Sequence, residues 1–279
     1  MSCVDVGCPC DVGDALDRPV RPTSSDDPLP ELGIEPLGAR SVVLSALLGS
    51  HPPVLPVRAL VALAELFGIR SGTTRTSLSR MVAAGELVGD DGRYSLAGRL
   101  LDRQREQDAG RVSPTRSWDG AWITAVAEGD RRPVAERRAF RDAMHAARLA
   151  ELRPDIWMRP ANLAPPDQRG VLVTVGPLTG IRGPALVARL WPLDDLERHA
   201  VAIAAALRRQ RRAIDAGDVD TLPATFTAAA AAVRFLRSEP QLPDALAPPS
   251  WTPPTLRPLY DEFDAAFGRQ LRAFFSSVG

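Results

Sequence analysis

Four side chains between positions 73 and 80 could do chemistry together: Thr73, Thr76, Ser77 and Arg80. At about 100° per residue along a helix, Thr73, Thr76 and Arg80 fall near the centre of one face, with Ser77 and Ser79 at its margins. A solvated helix usually carries Glu and Lys on such a face. This one carries hydroxyls and a guanidinium and no acid, a set suited to non-covalent recognition. Arginine can fork onto a guanine, and Thr or Ser can meet base edges or phosphates in the major groove of duplex DNA. Arg75 lies nearer the buried margin, where it would brace the helix or reach a phosphate. Arg93, further on, is placed beside the neighbouring backbone.

The helix that presents this face is expected over residues 72–84, with Thr74, Leu78, Met81 and Val82 as its inward stripe, Ser71 as its cap and Gly85 as its stop. Before it, Val57, Leu60, Val61, Ala64 and Phe67 recur at helical spacing, so one face of that helix packs inward. Gly68 is placed to close it in the left-handed conformation, and Ile69 to plug the corner. After it, Leu87-Val88 and Arg93-Tyr94-Ser95-Leu96 read as short strands joined by the turn-forming run Gly89-Asp90-Asp91-Gly92, with Tyr94 offering an aromatic beside Arg93. A short apolar helix over residues 40–48 precedes all of this and ends at Gly49-Ser50-His51-Pro52-Pro53. The order is that of a winged helix-turn-helix. A helix pair and hairpin with a structural role, such as dimerisation, gives the same pattern, and so does a sensor or interaction protein that keeps this core without binding DNA.

Bulk charge does not announce a nucleic-acid partner, because the formal net charge is zero. Its distribution is uneven. Residues 1–36 hold eight acids (Asp5, Asp11, Asp14, Asp17, Asp26, Asp27, Glu31, Glu35) against Arg18 and Arg21, whereas residues 37–116 hold eleven arginines against seven acids. An acidic tail therefore masks a modestly basic module. The chain has no lysine; every basic side chain apart from histidine is Arg.

Cys3, Cys8 and Cys10 all sit in that tail. Three thiolates could hold zinc with a fourth ligand, but so few core-forming residues surround them that the tail reads as disordered. No run approaches the ~18–20 apolar residues of a membrane span, and the acidic, proline-broken start is unlike a secretory signal. A cytoplasmic protein is expected. His51, His145 and His199 lie far apart, and neither a phosphate loop nor a nucleophile elbow is present. Asp119 and Asp130, flanking a strand that begins at Ile123, read as a turn and a cap. No catalytic residue, metal or cofactor is expected.

Beyond the first module, residues 97–108 read as a charged helix and residues 110–114 as a break. Residues 118–192 suit a small α/β unit: a strand over 123–127, a helix over 133–152, strands over 156–158 and 170–175, and a further strand over 186–190. That order fits a ferredoxin-like sandwich. The remainder reads as helices over 194–215 and 218–238, a proline-rich connector over 240–254, and a last helix over 256–275 with Pro258 in its first turn. The fold class is α+β multidomain, divided into an acidic tail (1–36), a winged-helix domain (37–112), a ferredoxin-fold domain (113–192) and a helical domain (193–279).

These pieces, in this order, resemble the PaaX family of regulators over roughly residues 38–275. The likeness rests on Leu66-Phe67-Gly68-Ile69, Arg75, Ser79-Arg80 and Gly92-Arg93-Tyr94-Ser95-Leu96 in the first module. In the middle it rests on Trp118-Asp119-Gly120-Ala121-Trp122, the region around Arg137 and Arg141, Ile156-Trp157-Met158-Arg159-Pro160 and Trp191-Pro192-Leu193. Towards the end it rests on Arg234-Phe235 and Glu239-Pro240-Gln241-Leu242-Pro243, with Leu246, Pro248 and Trp251. The resemblance implies a winged-helix N-terminal domain, a central domain like the ferredoxin fold of small CRISPR-associated nucleases, and a helical C-terminal domain. It also implies a homodimeric repressor of a catabolic operon that leaves operator DNA when an aryl-acetyl-CoA thioester, phenylacetyl-CoA or similar, binds. Arg234, Trp251 and Arg257 offer the cations and aromatic plane that such an effector could use; packing and carbonyl capping by the same residues is the alternative. The chain departs from the family in its acidic tail, in His199, and in Trp251-Thr252-Pro253.

Overall fold

The computed structural model describes residues 37–98, 100–102, 104, 116–128, 133–166, 170–218 and 221–278. The tail with its cysteines, half of the helix expected over 97–108, the break at 110–114 and Asp130 lie outside the described residues.

The first module runs α1 (Ala39–Leu48), β1 (Val54–Pro56), α2 (Val57–Leu66), α3 (Ser71–Ala83), β2 (Leu87–Asp90) and β3 (Arg93–Leu96). β3 is the middle strand of a three-stranded antiparallel sheet, with β1 on one side and β2 on the other. Val43 and Leu47 of α1, Leu60 and Leu63 of α2, and Leu78 and Met81 of α3 meet Leu87 and Leu96 of the sheet in one buried cluster. Gln104 secures the end of α1: its buried amide donates to the carbonyls of Leu48 (2.9 Å) and Ser50 (3.0 Å), acceptors a helix end leaves open.

Two details of α3 differ from expectation. Ser71 is its first residue, not its cap; extended Arg70 precedes it, and no side chain caps the helix. Val82 is 39% exposed. One residue beyond Met81, the helix has turned it away from the narrow face that α1 and α2 cover.

The central unit contains β4 (Ala121–Ala127), α4 (Val134–Ala146), β5 (Ala150–Arg153), β6 (Ile156–Pro160), β7 (Val171–Pro177) and α5 (Gly183–Leu190). The sheet order is β5-β6-β4-β7, and every neighbouring pair is antiparallel. Successive side chains of a strand point to opposite faces. Accordingly Ile123 and Trp157 pack with Phe140 and Met144 of α4, while Trp122 and Met158 pack with Leu186, Val187 and Leu190 of α5.

Two expectations are corrected here. The helix over 133–152 ends at Ala146; the chain turns at Arg148, whose φ is +60°, and residues 150–153 become an edge strand. The strand expected over 186–190 is helix α5, because its buried residues recur three to four apart, a spacing that a short apolar run does not distinguish from a strand on its own.

The last unit is α6 (Leu193–Asp215), α7 (Leu222–Ser238) and α8 (Pro253–Ser277). α7 starts later than position 218, since the Asp218 amide donates back to the Ala213 carbonyl and so belongs to the closing turn of α6. α8 starts earlier than position 256, which places Pro258 inside the helix rather than in its first turn. Pro258 cannot donate to the Pro254 carbonyl, and both residues are exposed, so water can satisfy that acceptor. The core of the first module continues into these helices. Phe67 meets Phe226 of α7 edge to face (5.6 Å between centroids), and Phe226 meets Phe267 of α8 likewise (5.8 Å).

Candidate nucleic-acid interface

The ends of α2 and α3 are built alike, and this sets the angle at which α3 is presented. After α2, the Gly68 amide donates to Glu65 and the Ile69 amide to Ala64; after α3, Gly85 donates to Val82 and Glu86 to Met81. Both glycines have φ near +70°, the left-handed conformation that this paired helix stop requires. The wing turn, Asp91-Gly92, is also left-handed at both positions and folds β3 back so that Arg93 stands opposite Asp90.

Between these fixed ends α3 buries Thr74, Leu78 and Met81 and exposes Thr73, Arg75, Thr76 and Arg80, with Ser77 half-buried. An open groove of about 770 Å³ runs along it. Thr73, Thr76, Ser77 and Arg80 line one side of that groove; Arg40 of α1 and Glu86 close it. The four residues singled out from the sequence are therefore brought together. The Thr76 hydroxyl donates to the Gly72 carbonyl (2.9 Å), which leaves its oxygen as an acceptor towards the groove. Arg75, Arg80 and Arg93 have no ion-pair partner among the described residues. α3 carries no acid in its first turn, so its free amides and dipole favour an anion.

Two placements, those of Arg75 and Tyr94, differ from the sequence reading. Arg75 is exposed, away from a buried margin, and lies outside the groove. Arg93 stands exposed on the wing hairpin, where the sequence put it. Tyr94 packs onto the core, with its ring against Gly89, because its side of β3 faces inward. Arg40 and Glu86 were missed. Arg40 donates to Glu86 through Nε (3.2 Å) and Nη2 (2.6 Å), and the two residues are 46 positions apart, so no local periodicity reveals the pair.

The residues considered for an effector lie elsewhere. Arg234 is exposed on α7. Trp251 packs beside Trp118, Trp122 and Trp191 with Leu242 and Leu246, and its buried Nε1 has no hydrogen-bond partner among the described residues. Arg257 is committed to a junction centred on Glu239, which is 3% exposed. There the Glu239 carboxylate accepts from Arg257 (2.9 Å) and from the Gln241 amide (2.7 Å). Arg148 donates to the Leu236 and Glu239 carbonyls and lies 3.9 Å from the same carboxylate. Burial lowers the pKa of Arg148 to about 10, against the opposing pull of Glu239. Burial lowers that of Arg159 to about 10 as well, with the charge of Arg148 adding to it.

Two comparisons find similar proteins. The family profile described as PaaX-like protein matches residues 38–100. The solved structure of an uncharacterized protein, Rv0674 from Mycobacterium tuberculosis, is similar at 34% identity, covering 85% of this chain and 98% of that one with a TM-score of 0.66. No curated protein matches the chain. Together these place the chain in the class of transcriptional regulators. Within that class, it belongs to the PaaX-like protein family. Among the described residues no helix is long and apolar enough to cross a membrane.

Proposed function

We propose that this chain is a DNA-binding repressor whose residues 37–112 form a winged helix-turn-helix, with α3 entering the major groove of its operator. The carrying observation is the outward face of α3: hydroxyls and an uncommitted arginine, without an acid, opening on a groove between α3 and the start of α1. In this reading Thr73, Thr76, Ser77 and Arg80 face the bases, while Arg75 and Arg93 reach phosphates. The three-stranded sheet, with its tight Asp91-Gly92 turn, serves as the wing.

The order β5-β6-β4-β7, with α4 crossing between β4 and β5, supports a ferredoxin-like strand arrangement for residues 113–192; α5 departs from that fold by following β7 and packing on the opposite face of the sheet. Residues 193–279 form the helical domain. The resemblance to the family supports a cytoplasmic homodimer released from DNA by an aryl-acetyl-CoA thioester. The exposed Arg234 is available to that effector, whereas Arg257 and Trp251 would have to leave their present partners to meet it.

The test is a mobility shift of the full chain on DNA from its own upstream region, at graded salt and with a panel of acyl-CoA thioesters. Binding should fall steeply with salt, as phosphate contacts require, and one thioester should release the complex. A chain with no affinity for any duplex would be a sensor or interaction protein that keeps a winged-helix core.

A further inference from the structure

The ion pair between Arg40 and Glu86 closes the groove along α3, and its geometry gives it a task beyond folding. Glu86 directly follows the glycine that ends α3, and its amide donates to the Met81 carbonyl (2.9 Å), so its backbone is fixed to the helix that carries the groove. Its side chain is 16% exposed, whereas that of Arg40 is 56% exposed. The carboxylate takes Nε and one Nη of Arg40. A guanidinium has five N–H donors in one plane, so three remain, and they lie on the edge turned away from Glu86.

An exposed pair of this kind contributes little to stability. Its consequence is positional. A long, flexible side chain is held in one pose on the lining of the groove that also holds Thr73, Thr76, Ser77 and Arg80. Among the described residues Glu86 is the sole acid lining that groove, and it is paired with the arginine nearest to it.

We infer that Arg40 is a phosphate-contacting residue of the DNA interface and that Glu86 is its positioning residue. Glu86 holds the guanidinium in place for the strand flanking the major groove and offsets part of its charge, which moderates the hold on every duplex. The inference rests on the reading of α3 as the helix that enters DNA, and it adds a contact from α1, outside the helix pair. A phosphate contact carries no base information. Arg40 therefore strengthens binding to all sequences alike, and Glu86 moderates that contribution on operator and random DNA alike.

The experiment titrates full-length wild type and the variants Arg40→Ala, Arg40→Lys and Glu86→Gln against operator and random duplexes over a range of salt. Arg40→Ala should weaken both duplexes several-fold and reduce the slope of log K against log salt by about 0.9, the share of one phosphate. Arg40→Lys should restore that slope. Glu86→Gln should tighten operator and random DNA several-fold alike and leave the ratio of the two affinities unchanged. An unchanged slope in Arg40→Ala, or unchanged or weaker random binding in Glu86→Gln, overturns the inference while wild-type binding stands. Thermal midpoints like that of wild type exclude misfolding as the cause. Wild type without affinity for any duplex overturns the underlying reading and this inference together.

Discussion

Arginine is used in two opposed ways in this molecule. At the junction around Glu239, Arg148 and Arg257 are nearly enclosed and their donors end on main-chain carbonyls and one carboxylate. Along α3 and the wing, Arg75, Arg80 and Arg93 are exposed and uncommitted. A buried guanidinium must find partners because an unpaired charge in the interior is very costly. An exposed one can wait for a partner from outside. The same residue type thus marks structure in one region and recognition in the other, and the distinction lies in how many of its donors are already engaged.

Removing the shared anion of the junction should have the largest effect. Glu239→Ala leaves Arg148 and Arg257 without their carboxylate, and a loss of about 3–5 kcal/mol in urea unfolding is expected. A smaller loss would mean that the main-chain carbonyls alone hold the guanidiniums.

The pKa of Arg148 supplies a second test with a definite sign. Folding lowers it from the ordinary guanidinium range to about 10, so above pH 10 the folded state sheds this proton before the unfolded state does. Stability relative to an Arg148→Met variant should be level around neutral pH and rise as the pH climbs above about 10, read from unfolding curves at each pH. A fall over that range would contradict burial as the cause.

Close packing beside the junction gives the next effect. A Cβ built on Gly183 would lie 2.6 Å from Leu246 Cδ2. Gly183→Ala should therefore cost about 1–3 kcal/mol of stability by overpacking, and in a double-mutant cycle that cost should shrink in the Leu246→Ala background.

On the exposed side the balance reverses. Arg80→Ala should leave stability within about 0.5 kcal/mol while weakening operator binding by about 1–3 kcal/mol if it forks onto a guanine. Binding isotherms and thermal melts on one preparation separate the two readouts. The smallest effect belongs to Val82→Ser, expected to change stability by less than about 0.5 kcal/mol because this apolar side chain lies outside the core.

The helix pair was the most legible region of the sequence because its signals are local. Apolar spacing, Gly68, Gly85 and the Asp91-Gly92 turn each act within a few residues, and the groove along α3 follows from them. Val82 misled because periodicity gives a direction but not the width of the face that neighbours cover. Arg148 was hidden because it holds a left-handed conformation without being glycine; what sustains it are carbonyls at positions 236 and 239, far along the chain. The run at 186–190 is too short for its period to be read, and its packing is set by Trp122 and Met158, far back along the chain. Arg40 and Glu86 belong to the same category as Arg148: a pairing across distant positions, invisible until α1 is laid beside α3.

The edge-to-face contact of Phe67 with Phe226 has a mechanical consequence. Phe67 is the cap of α2, one residue before the glycine that turns the chain towards α3, and Phe226 lies inside the helical layer of the C-terminal unit. The corner of the helix pair is thus seated on the far end of the chain. The support under the corner that aims α3 is supplied by α7, a helix more than a hundred residues further along the chain.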